Sequence, residues 1–148
     1  MSRAETAYTS TFQVRIRLQA LYSDVQRSLQ RRKTGLEGGI CAIDLLTALQ
    51  AMAHAAEREE LCGFATACLH VAESIEPLTR HAEIPDSTLQ SLQMWLYHAD
   101  MYLRRGATPA TALAIIAPLR TAPLGHALSS EEDAALVRSL LEPGTPHR

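Results

Sequence analysis

A chain of 148 residues with 47% apolar and 20% charged composition is long enough for one packed domain and too apolar for wholesale disorder. A formal net charge of −2 argues against a nucleic-acid binder, and no run of about eighteen apolar residues is present to span a membrane. Three cysteines without a paired C-x-x-C spacing exclude a disulfide framework and a zinc ribbon, and the opening Met1-Ser2-Arg3-Ala4-Glu5 carries no secretory signal, so the expected setting is cytoplasmic.

Val14, Leu18, Leu21, Val25 and Leu29 recur at the spacing of one helix face and predict a first helix from Ala4 to Arg32. Thr34-Gly35-Leu36-Glu37-Gly38-Gly39 breaks it, because glycine is a poor helix former. A second helix is predicted from Ile40 to Arg58, burying Leu45, Leu49, Met52 and Ala56. A short polar link at Glu59 and Glu60 makes it an antiparallel neighbour of a third helix. That helix starts near Cys62 and turns Phe64, Cys68, Val71 and Ile75 inward until Pro77, which has no amide proton to continue it.

The fourth helix carries Leu89, Leu92, Leu96, Ala99 and Leu103, with Ser87 and Gln90 as a capping box and Gly106 as its stop. Thr108-Pro109 starts a fifth helix with Leu113, Ile116 and Leu119, ending or bending at Pro118. Ser129 or Ser130, followed by Glu131, Glu132 and Asp133, opens a last short helix to Leu141, its acidic first turn matching the helix dipole. No segment alternates for long enough to be a strand. The expectation is an all-α fold: an up-down four-helix bundle with an additional terminal helix, a single domain over 1–141 and a flexible tail over 142–148.

Charge is unevenly spread. Residues 1–33 hold seven basic groups against Glu5 and Asp24, and the remainder holds seven basic against fourteen acidic, which reads either as a solvated face or as a seat for an acidic partner. The phosphate-binding, dinucleotide-binding, nucleophile-elbow and His-Glu-x-x-His motifs are all absent. What remains is histidine. His54 lies opposite Leu45, Leu49 and Met52 on its helix, so it points to solvent, where a neutral imidazole can either serve as a phosphoacceptor or stay an ordinary surface residue. His70 and Glu73 sit one turn apart on the third helix, where a carboxylate can fix a histidine's tautomer. His54 with Glu57 and His70 with Glu73 also form two one-turn pairs on adjacent helices, but both lie off the apolar faces, and no metal is expected. Cys41, Cys62 and Cys68 read as small buried hydrophobes. Met94, Trp95, Tyr97, Met101 and Tyr102 form a large patch on the fourth helix, read as core or as a docking surface for a helix or a second copy.

A long first helix, two helices joined by Leu61-Cys62-Gly63-Phe64 and the run His70-Val71-Ala72-Glu73-Ser74-Ile75-Glu76 together resemble the histidine phosphotransfer domain of chemotaxis-type kinases. In that family a glutamate on the third helix positions the phosphoacceptor, and the second helix carries His-x-x-Lys-Gly. Here Glu57 and Arg58 occupy the lysine and glycine places after His54, and an ungapped match through His70 puts Ala51 at the acceptor position. Glu57 would repel a phosphoryl group and Arg58 would crowd a docking receiver domain.

The resemblance, with these departures, implies a signalling or adaptor module that binds a protein partner, a receiver domain or another signalling protein, without phosphotransfer. Contact would run through Gln50, Ala51, His54, Glu57 and Arg58, with no cofactor, no metal, no nucleic acid and no membrane insertion. Two alternatives stand beside it. One is an active phosphotransfer protein with His54 as acceptor, Glu73 orienting it and Arg58 touching phosphate. The other is a chaperone or homodimer built on the fourth-helix patch.

Overall fold

The computed structural model describes residues 3–36, 39–81, 83–125 and 128–142, with side chains from Phe12 onward. They form six helices: α1 (Arg3–Lys33), α2 (Ala42–Arg58), α3 (Cys62–Ile75), α4 (Asp86–Arg105), α5 (Pro109–Ile116) and α6 (Ser130–Leu141). Turns of 3-10 helix at Glu76–Arg80 and Ala117–Arg120 extend α3 and α5. Pro77 and Pro118 sit in the first positions of these turns, where the missing amide proton breaks no helical bond. No strand occurs among the described residues, and none of their helices is long and apolar enough to cross a membrane.

The chain is all-helical. Its helices close a ring: α1 packs on α2 and α4, α2 on α3, α3 on α6, α6 on α5, and α5 on α4. The short helices α5 and α6 therefore bridge the rim between α3 and α4. Across the centre, Phe64 on α3 stacks on both Trp95 and Tyr102 of α4, with ring centroids 6.2 and 6.0 Å away. Trp95 is fully buried, and its indole N–H donates to the Ile115 carbonyl of α5 at 3.1 Å. The Tyr102 hydroxyl donates to the Leu140 carbonyl of α6. Burial lifts that phenol's pKa to about 12, so it stays a protonated donor throughout the physiological range.

The apolar stripes of α1 to α4 face this core at every predicted position except Leu29, which is half-buried at its edge. Three local expectations are corrected. α4 starts at Asp86 behind Pro85, with no side-chain cap, so Ser87 lies inside the first turn and makes no capping box with Gln90. On α5 the inward face is Ala112, Ile115 and Ile116, which leaves Leu113 52% exposed. Cys41 and Cys62 are exposed, because each sits where a helix begins at the surface, and only Cys68 is buried. The capping boxes at Thr108 with Thr111 and at Ser129 with Glu132 are both formed. Of the expected tail, residues 143–148 lie outside the described residues.

The junctions fix the helix angles. α1 ends with Gly35 at φ +75°, and the Gly35 and Leu36 amides donate to the Arg32 and Arg31 carbonyls. Gly39 then passes so close to α1 that an added Cβ would lie 2.6 Å from Ser28 Oγ. That hydroxyl is buried, accepts from the Ile40 amide at 2.8 Å and donates to the Asp24 carbonyl at 2.9 Å. α2 ends in the same amide-to-carbonyl pattern, Glu60 to Glu57 and Leu61 to Ala56, with Glu60 at φ +65° in the position that usually takes glycine.

Candidate functional site

On α2, Leu45, Leu49, Met52, Ala53, Ala55 and Ala56 are buried, which leaves one outward stripe. Gln50, His54, Glu57 and Arg58 are all exposed on it, and Ala51 is half-buried at its edge. Gln50 lies four residues before His54, and Glu57 and Arg58 three and four after it, which puts these polar side chains along one side over about 12 Å. Four aspartates elsewhere on the described surface are held by arginines: Asp24 by Arg27, Asp86 by Arg32, Asp100 by Arg15 and Arg104, and Asp133 by Arg120. The Asp133 carboxyl is held below the ordinary carboxylate range by that arginine. Gln50, His54 and Glu57, by contrast, form no hydrogen bond or ion pair among the described residues.

Glu59 closes the stripe at the C-cap of α2. Its carboxyl is raised above its usual pKa by burial, which the charges of Arg58 and Arg17 offset only in part. One of its oxygens is buried without a hydrogen-bond partner among the described residues. The α2–α3 corner therefore joins a partly desolvated carboxylate to a non-glycine residue at positive φ.

His70 and Glu73 lie together on α3, with Nδ1 4.0 Å from Oε2 and the imidazole side chain only 13% exposed. The hairpin of α2 and α3, linked through 59–61, sets Glu73 level with Thr47 and His54 level with Thr66. At 1.5 Å per residue Glu73 is then about 10 Å further along the hairpin than His54. So α3 pairs Glu73 with His70 and does not bring it to His54. Arg58, four residues after His54 on the same face, is the cation nearest to it in register.

The expected fourth-helix patch divides in two. Trp95 and Tyr102 are buried in the core and Met101 is half-buried, while Met94 and Tyr97 are 56% and 51% exposed. A cavity of about 440 Å³, which no motif in the sequence announces, lies between the end of α1, the start of α2 and Thr79, His81, Glu83 and Ile84, with Arg32, Leu36, Ile40 and Cys41 also in its lining. The glycine-rich break after α1 is its only local signal. It opens about 17 Å along α2 from His54. Among the described residues no three His, Cys, Asp or Glu side chains converge to hold a metal ion. No family model, no curated protein and no solved structure matches this chain.

Proposed function

We propose that this chain is a helical adaptor module of the histidine-phosphotransfer kind, which binds a signalling protein such as a receiver domain through the outer face of α2 and transfers no phosphate. The observation that carries the reading is the stripe Gln50, His54, Glu57 and Arg58, exposed and, in its first three members, without partners among the described residues. Surface polar groups left unpaired within a fold are available to an incoming protein without breaking anything first.

The loss of phosphotransfer rests on the groups around His54. An acceptor imidazole needs an orienting carboxylate and a cation that neutralises the arriving phosphoryl group. Glu73, the orienting candidate, is beside His70. Glu57, one turn from His54, adds a negative charge where a positive one is needed. The four long helices α1 to α4 supply the scaffold in this reading, with α5 and α6 as the additions. The unpaired, exposed Cys41 and Cys62 fit a reducing, cytoplasmic compartment.

Two measurements test it. Intact-mass spectrometry after phosphoramidate treatment is expected to show no phosphoryl adduct on wild type; an adduct that disappears in His54→Gln makes the protein a relay instead. In a binding titration against immobilised receiver domains, Gln50→Arg with Glu57→Arg is expected to weaken the response at least tenfold. An unchanged response would move the contact off α2.

A further inference from the structure

We draw no further inference here: the strongest candidate, the cavity between the end of α1 and the start of α2, rests on the lone thiol of Cys41 at a helix N-terminus and on an Arg32 already paired with Asp86, and nothing in the structure shows what fills it.

Discussion

The ends of α1 and α2 are closed by the same pair of backbone hydrogen bonds, yet one uses Gly35 and the other Glu60 in the left-handed position. At the first, glycine adopts a positive φ without steric cost, and a second glycine, Gly39, lets the chain pass over Ser28. At the second, a side chain stands in a conformation that costs an L-residue about 1–2 kcal/mol, beside a carboxylate that burial disfavours. The α1–α2 junction is built for stability. The α2–α3 junction tolerates strain beside the exposed stripe of α2, and backbone strain of this kind gathers where a protein is used.

The largest effect is expected on the strained side. An added Cβ at Gly63, in the first turn of α3, would lie 2.5 Å from the Ser139 carbonyl carbon and 2.7 Å from the Leu140 nitrogen. These are backbone atoms, so Gly63→Ala has to push α6 away and break the Tyr102 bond to Leu140. A loss of about 3 kcal/mol is expected from such overpacking, read as a lower urea midpoint with hydrogen exchange accelerated first in α6. If α6 keeps its protection, the close approach does not anchor the ring.

Next is Gly39→Ala at the other junction. Its φ of +120° strains any L-residue and its new Cβ would meet Ser28, so a loss of about 2 kcal/mol is expected in thermal denaturation. Glu60→Gly should move the opposite way, a gain of about 1 kcal/mol, because the strained position then holds the residue it suits. Together these two variants test whether the junctions differ as described; a loss at Glu60→Gly would show that its side chain contributes more than its backbone costs.

The smallest effect concerns pH. With Glu59 raised above its usual pKa, the folded protein holds that proton more tightly than the unfolded chain does. Ionisation of Glu59 therefore lowers stability, fully so above the raised value and not at all below the unfolded one. Glu59→Gln is expected to be modestly more stable than wild type at pH 7, with the difference vanishing as pH falls through the carboxylate range. Parallel stability curves across that range would remove the buried carboxylate from the account of this corner.

The contrast also marks what the sequence could reveal. Gly35 announced the end of α1, and the stripes of α1 to α4 gave the inward faces because burial enforces one period along a helix. Glu60 gave no such sign: a polar link was legible, but its handedness was set by the packing of α3 on α2. Periodicity alone puts Trp95 and Tyr102 in one group with Met94 and Tyr97, since a wide aromatic helix face does not say how many neighbours it has. Here α5 and α6 cover half of it. The spacing of Leu113 points inward, but α5 is too short for a period to fix its face. The leucines opposite His54 turn it outward, and it is exposed, whereas the separation of Glu73 from His54 depends on hairpin register, which one helix pattern cannot supply.

The ring order has a consequence during synthesis. α6 fills the gap between α3 and α5, and the Gly63 hollow and the Tyr102 hydroxyl are both completed by Leu140. As the ribosome delivers the chain from its N-terminus, α1 to α5 emerge first, with that edge of Phe64 and Tyr102 still open to water. The core can shut only when the segment after Ser130 has cleared the exit tunnel. A nascent chain halted before that point keeps an apolar notch uncovered, a natural landing place for a general chaperone.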